Sequence, residues 1–527
     1  MFDSDTLSQL KSLKTQIRDS RDIRTGVFRP TQNRYGFVRD TDGNDVFLPP
    51  DEASKLLPGD SVEIEVTTTD KDRVQATILK LIKSDFKACH GYCIERGKGF
   101  FVETDDANRV WMFVPPKNRK GAKAGDRVSA SLLKHPFKND GKGQLKIDEV
   151  IGGNDLAGIE TAYAISKFGI PTTWPDNTET EIKDLELKLE QVISQREVSP
   201  YPFVSIDSAA TRDVDDAIYC EANDNGWLVV AAIADPSSVI SKGSALEKAA
   251  QKRGASCYFP HGPLAMLPEQ LSAGNLSLLA HKKRPAVVCK LQITADGTVD
   301  SAEFSLETIV SAGKLNYFQV SQYLEHGTIA EELTPDIQHI LAKAKMATDA
   351  IKSSRDVDAL MNDNDRVDYR LRLNERGKVD DIIAIERSSA HSVIEEIMLS
   401  VNRACADFLV EHNVPGPFSA HMGIRTERLT ESKKLLDELA PELDKDTDLS
   451  TIEGFAAAKA TAATDSGKGL VRPLRRLLSR ASIQTTAAPH FGLGFAHYTT
   501  MTSPLRRYQD LLVHFQLHAI LTQQAPI

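Results

Sequence analysis

The stretch Ile206-Asp207-Ser208-Ala209-Ala210-Thr211-Arg212-Asp213-Val214-Asp215-Asp216 packs four aspartates into ten residues. It follows the apolar run at 201–206 and leads into Ala217-Ile218-Tyr219-Cys220. That pattern predicts a strand end, a loop and re-entry into the next strand, with the acids gathered at the junction. Carboxylates this close repel one another, and no neighbouring run of Lys or Arg matches them. A bound hard cation relieves the repulsion most readily, and oxygen ligands favour Mg²⁺, Mn²⁺ or Ca²⁺. An exposed acidic loop is the plain alternative.

A second motif occupies residues 490–514, HFGLGFAHYTTMTSPLRRYQDLLVH. Ser503-Pro504 predicts a helix start, with Ser as cap and Pro in the first turn, and the helix is expected over 503–521. Arg506, Arg507, Asp510 and His514 then fall on it, with Arg506 and Asp510 sharing a face at a spacing of four. A guanidinium at a helix N-terminus suits a phosphate. Together the two segments supply the parts for phosphodiester hydrolysis: acids that hold metals and an arginine that clamps the phosphate.

These segments resemble the two signatures of the ribonuclease II family of RNB-domain 3′→5′ exoribonucleases. Between them Tyr258-Phe259-Pro260, Met266-Leu267-Pro268, residues 393–398 (VIEEIM) and His421-Met422-Gly423 match as well. The resemblance implies that Asp207 and Asp216 hold Mg²⁺ (Mn²⁺ as an alternative), that Asp213 and Asp215 complete the cluster, and that loss of Asp215 abolishes cleavage. It carries the phosphate-contacting arginine onto Arg506, with Arg507 beside it as a phosphate contact or a surface charge. Tyr258 maps onto an aromatic that stacks on the 3′-terminal nucleotide, although Cys-Tyr-Phe-Pro also fits a core position. Glu395-Glu396 maps beside the substrate path or onto a helix surface, and Glu396 is taken as an RNA-side residue. Two departures stand out. The place of the second clamping aromatic is Asp363, and the family's further helices and carboxy-terminal S1 barrel have no counterpart before Ile527.

The first 150 residues contain a repeat. Tyr35-Gly36-Phe37-Val38 and Asp45-Val46-Phe47-Leu48-Pro49-Pro50 recur as Gly99-Phe100-Phe101-Val102 and Trp111-Met112-Phe113-Val114-Pro115-Pro116, at an offset of roughly 63 to 66 residues. Alternation at Val62, Ile64 and Val66 predicts strands. These segments look like two tandem OB-type cold-shock barrels, whose aromatics form stacking platforms for single-stranded bases. Phe28, Tyr35, Phe37 and Phe47 are the candidate stackers of the first repeat, and Phe101, Trp111 and Phe113 of the second. Strand alternation requires about half of such residues to be core.

The expected organisation is multidomain. It comprises a helix over 1–20, all-β OB barrels over 21–83 and 84–152, a helical connector over 153–197, and a large mixed α/β RNB catalytic domain over 198–527. Within that domain helices are expected at 244–253, 331–353, 391–412, 426–439 and 503–521, and another inside 446–469. With 41% hydrophobic and 26% charged residues, 527 residues suit several ordinary globular domains. No run of about 18 apolar residues occurs and no leader is evident, so neither a membrane span nor secretion is expected. Six scattered cysteines fit free thiols in a reducing cytoplasm; Cys89 and Cys93 lack the second pair a zinc site needs. A net charge of −10 argues against a broad basic face for duplexes. Basic stretches at 117–123, 134–146, 281–284 and 472–476 would instead line a path for a polyanion. The expectation is therefore a monomeric, processive exoribonuclease that degrades single-stranded RNA to nucleoside 5′-monophosphates in RNA decay. Its rivals are an RNA-binding relative with a weak or dead nuclease site, and a cold-shock-type RNA chaperone.

Overall fold

The computed structural model describes all residues except 1–20, 69–73, 106–109, 357–366, 440–442, 445, 463–470 and 527. The helix expected over 1–20 and the Asp363 position lie outside the described residues. The chain divides into two compact units: one ends at Ile170 and takes in Leu373–Val379, and the other comprises Pro171–Arg372 and Asp380–Ile527.

The first unit holds both repeats. Strands β1 (Ile23–Pro30), β2 (Gly36–Asp40), β3 (Asp45–Leu48), β4 (Ser61–Thr68) and β5 (Val74–Lys83) form a sheet of order β3-β2-β1-β4-β5. Strands β6 (Ala88–Arg96), β7 (Gly99–Thr104), β8 (Trp111–Phe113), β9 (Arg127–Lys134) and β10 (Gln144–Gly152) form a closed barrel. Alternation sets the cores: Val62 and Ile64 on β4, and Val128 and Ala130 on β9, point inward. Gly26 and Gly91 occupy equivalent places in the two repeats. A Cβ there would lie 2.3 Å from the Arg39 carbonyl oxygen and 2.2 Å from that of Glu103, so only glycine lets these strands approach. Helix α1 (Ile159–Phe168) belongs to this unit.

The second unit begins with the segment that leads to helix α2 (Thr178–Gln195) and is built on another closed barrel. Its strands are β11 (Phe203–Asp207), β12 (Asp216–Asn223), β13 (Gly226–Ala234), and, after the hairpin β14 (Cys257–Phe259) and β15 (Gly262–Leu264), β16 (Lys283–Thr294) and β17 (Val299–Asn316). Both faces of these strands are buried. Val229, Ala231 and Ile233 enter one cluster with α5 (Pro335–Asp356) and α6 (Ser389–Glu411), while Val230, Ala232 and Ala234 enter another with α2, α3 (Ala245–Arg253) and residues 505–515. This is why β13 reads as an unbroken apolar run. Helix α4 (Tyr317–His326) follows β17 directly. Helices α7 (Leu429–Leu439), α8 (Ile452–Ala462) and α9 (Val471–Leu477) gather around Phe455 and Leu436 in a smaller cluster.

Candidate active site

Barrel register brings the acids to one end. Asp207 closes β11 opposite Asn316 at the end of β17, and Asp216 opens β12 opposite Ile233. The connecting loop is pinned from below: Val214 N–H donates to Ser277 Oγ at 2.9 Å, and Ala234 N–H to the Asp215 carbonyl at 2.8 Å. Asp215 is 4% exposed. Its Oδ1 accepts the Leu505 N–H at 2.9 Å and its Oδ2 accepts Arg506 Nε–H at 2.9 Å. The two distant motifs therefore meet in one carboxylate.

The expected helix start is corrected here. Helix α10 runs over Tyr508–Leu521, and residues 504–506 form a turn, with Arg507 extended (φ −133°, ψ 122°) and bridged to Ala255. Local capping signals lost to tertiary partners. Asp510, fully buried, reaches back to accept the Ser503 N–H at 2.9 Å and the Thr500 hydroxyl at 2.8 Å, while Leu505 N–H goes to Asp215. Arg506 is thus displayed by a turn rather than sharing a helix face with Asp510, and its Nη2 donates to Ser503 Oγ at 2.8 Å. Arg507 places Nη2 3.0 Å from Asp510 Oδ2 and braces the same turn.

Tyr258 is 57% exposed on β14, which excludes the core reading, and its hydroxyl donates to Asp213 Oδ2 at 2.7 Å. The hairpin is tied to the turn by Ser256 N–H donating to the Arg506 carbonyl at 2.9 Å. Glu396 is buried and engaged on α6, whereas Glu395 is exposed and pairs with Arg387 at 2.8 Å. In the first unit Phe37 pairs across strands with Phe47, and Tyr35 packs against both at 6.0 and 5.5 Å between ring centroids. Phe101 and Phe113 form the matching pair at 5.7 Å. All five are partly exposed, as platform residues must be. Trp111 is exposed but covered by Arg96 at 3.4 Å. Phe28 is corrected to core: it pairs with Val38, shares its inward face and is 3% exposed.

Two residues escaped the sequence reading. Tyr317 follows Asn316 and stacks on His391 at 3.9 Å and 14°. Burial, then the charges of Asp207 and Asp216, raise its phenol above its ordinary value, which places it against the acids. His391 Nδ1 is engaged by Ser388 Oγ at 2.8 Å in a capping box. Nothing local in the sequence marks either residue; only the pairing of β11 with β17 brings Tyr317 to Asp207.

The donor set suits a hard cation. Burial pushes Asp215 up to about 7, against the pull of Arg506 and the Leu505 N–H. Asp216 is pushed up to about 8 by burial and then by the charges of Asp215 and Asp207, which outweigh the pull of Arg506. A cation would restore both to the ionised form. Among the described residues no three His, Cys, Asp or Glu side chains form a ready cage. Mg²⁺ does not ask for one, since it is held by one or two carboxylates, waters and substrate phosphates.

Two OB-type barrels and a barrel end where acids lock onto an arginine define a nucleic-acid-processing hydrolase. The RNB domain family matches residues 195–523, the ribonuclease B OB domain residues 26–81 and the cold shock domain residues 100–175. This chain belongs to the RNB-domain exoribonuclease family. It is 30% identical to exoribonuclease 2 of Psychromonas ingrahamii over 99% of the chain and 79% of that protein. It is 31% identical to exoribonuclease 2 of Klebsiella pneumoniae over 99% of the chain and 80% of that protein. In fold it is similar to the apo form of Mycoplasma genitalium RNase R, with TM-score 0.78 and 23% identity over 94% of this chain and 79% of that one. It is also similar to yeast Ssd1, a pseudonuclease, with TM-score 0.62 and 15% identity over 98% of this chain and 71% of that one. The fold alone is therefore compatible with both active and inactive proteins, and the residues must decide.

Proposed function

We propose that this protein is a Mg²⁺-dependent 3′→5′ exoribonuclease that hydrolyses single-stranded RNA to nucleoside 5′-monophosphates. The observation that carries the reading is the Asp215–Arg506 link, which fastens an intact acid cluster to a phosphate-binding arginine.

The side chains divide the work. Asp215 is occupied with Leu505 and Arg506, and Asp213 receives the Tyr258 hydroxyl. Asp207 Oδ1 accepts Ser208 N–H and Thr211 Oγ–H at 2.7 and 2.8 Å. That leaves Asp207 Oδ2, Asp213 Oδ1 and the whole Asp216 carboxylate open. The charge of Asp207 acts on Asp216 whereas that of Asp213 acts on Asp215, so Asp207 and Asp216 are the pair that would hold Mg²⁺. The bound ion would lower the pKa of water and neutralise phosphate charge. Arg506, with one fork edge spent on Asp215 and Ser503, offers its remaining N–H groups to the scissile phosphate. Tyr258, steadied at its hydroxyl, presents its ring to the terminal base. The aromatic pairs of the first unit would stack on bases of single-stranded RNA.

The protein is read as a cytoplasmic monomer. Among the described residues no helix is long and apolar enough to cross a membrane, and all six cysteines are free. Single-stranded RNA labelled at either end, incubated with Mg²⁺, tests the activity. Mononucleotide should leave the 3′ end at once and be abolished by EDTA and by Asp215→Asn. RNA that is bound but left whole by the unmodified protein would favour the inactive reading.

A further inference from the structure

A cavity of about 490 Å³ opens beside the Asp213–Tyr258 hydrogen bond, between the 208–213 loop, the β14–β15 hairpin and the 171–174 segment. Its volume lies in the ~300–1,000 Å³ range of small-molecule sites. Among its lining residues, the Arg253 guanidinium lies over the Trp174 indole at 3.6 Å and donates to the Thr173 carbonyl at 2.8 Å. Of the neighbouring cations, Arg212 is paired with Glu269, and Arg506, tied to Asp215, serves the scissile phosphate in the reading above. Arg253 is different. Among the described residues it has no carboxylate partner, and burial pulls its pKa down with no acidic neighbour acting the other way. A stacked, half-buried guanidinium without a counter-ion is held ready for an anion. Leu264 and Pro263 give the cavity an apolar side suited to a base or sugar.

We propose that this cavity receives the released nucleoside 5′-monophosphate, with its phosphate on Arg253 and its base against the hairpin, before it leaves the protein. The proposal rests on the hydrolytic reading of the acid cluster, because the cavity begins where that reaction would leave its product. Retention there would make the mononucleotide a product inhibitor.

The test uses the full chain and AMP as probe. AMP affinity is measured by calorimetry, and AMP inhibition by the rate at which a labelled oligonucleotide is shortened. Arg253→Met should weaken both by about tenfold or more, the scale of a lost charge-assisted hydrogen bond. Arg253→Lys keeps the charge, loses the planar stack and should fall between. Lys252→Met, an exposed neighbouring cation outside the cavity, should change neither. Melting temperatures of all variants report folding, and Arg253→Lys carries the test if Arg253→Met does not fold. Shortened RNA together with an AMP affinity indifferent to both Arg253 changes would sink the product site alone. Weakened RNA binding with unaltered AMP binding would assign the cavity to intact RNA and overturn the proposal. Arg253-dependent AMP binding by a protein that leaves RNA whole would sustain the nucleotide site and sink the nuclease reading instead.

Discussion

Replacing Arg506 tests the site most directly. Its fork makes bonds of 2.9 Å to Asp215 and 2.8 Å to Ser503, and the side chain is 42% exposed. Two unit charges about 4 Å apart attract by ~4 kcal/mol at an effective dielectric constant near 20. Solvent screening at a half-open guanidinium leaves about 1–2 kcal/mol of that as stability. The catalytic loss should be larger, because a donor aimed at developing phosphate charge is worth roughly 10²–10³ in rate. Arg506→Ala should therefore cut kcat by about 10²–10³ while costing only ~1–2 kcal/mol of folding stability. Arg506→Lys preserves charge but cannot reach Asp215 and Ser503 in one plane, so it should lie between the two. Single-turnover shortening of a 5′-labelled oligonucleotide, run beside a thermal melt, separates the two effects. An Arg506→Ala protein that degrades RNA within a few-fold of the unmodified rate would falsify the clamp assignment.

Other predictions follow from the same contacts. Asp215→Asn keeps the shape but turns an amide N–H toward Arg506, so cleavage should vanish while RNA affinity, measured by gel shift, stays close to normal; residual cleavage would contradict the role given to Asp215. Burial pushes Asp215 and Asp216 up to about 7 and about 8, above the ordinary carboxylate range. The folded, metal-free protein keeps protons that the unfolded chain releases above pH ~4, so its stability should fall as pH rises from about 4 to 8. Its melting temperature should be lower at pH 8.5 than at pH 5.5, Mg²⁺ should raise it more at the higher pH, and Asp216→Asn should flatten the dependence; a profile unaffected by that substitution would refute the assignment. Phe47→Ala should weaken single-stranded RNA binding by about 1–3 kcal/mol with little loss of stability. Phe28→Ala should instead cost about 3–5 kcal/mol of stability. Equal effects of the two on a denaturant melt would mean that platform and core were misassigned.

What the sequence discloses here is what is local. The acid run can be placed at a strand junction because apolar and acidic residues change over within a few positions, and β11 ends and β12 begins at that junction. The repeat was readable because Phe37 and Phe101 sit in like contexts, and the parity that separates Phe37 from Phe28 becomes clear once Phe28 is seen opposite Val38. Ser503-Pro504 misled for a physical reason. It is a sound local helix signal, but the Leu505 N–H it would cap is taken by Asp215, and Ser503's own N–H is taken by Asp510. The Tyr317–His391 stack and the Arg253–Trp174 stack were invisible, since each joins residues that only the fold makes neighbours.

Asp215 also explains why four acids are needed where two could hold an ion. Its backbone carbonyl fixes β13, one carboxylate oxygen fixes the 503–507 turn and the other orients Arg506, so a single residue sets the distance between acid cluster and arginine. A carboxylate so committed has little left for a cation. Asp213 gives one oxygen to Tyr258. In the proposed assignment, placing the ion and placing the phosphate and terminal base thus fall to different aspartates of one short loop. Their mutual repulsion makes the empty arrangement costly and an ion favourable. The order of the motif follows from this. Asp215 and Asp216 are adjacent and point to opposite sides of the strand start, so one is turned inward to the arginine turn and the other is left at the barrel mouth for the ion. A shift of one residue in the register of β12 would exchange those roles, leave Arg506 without its anchor and put the uncompensated carboxylate in the core.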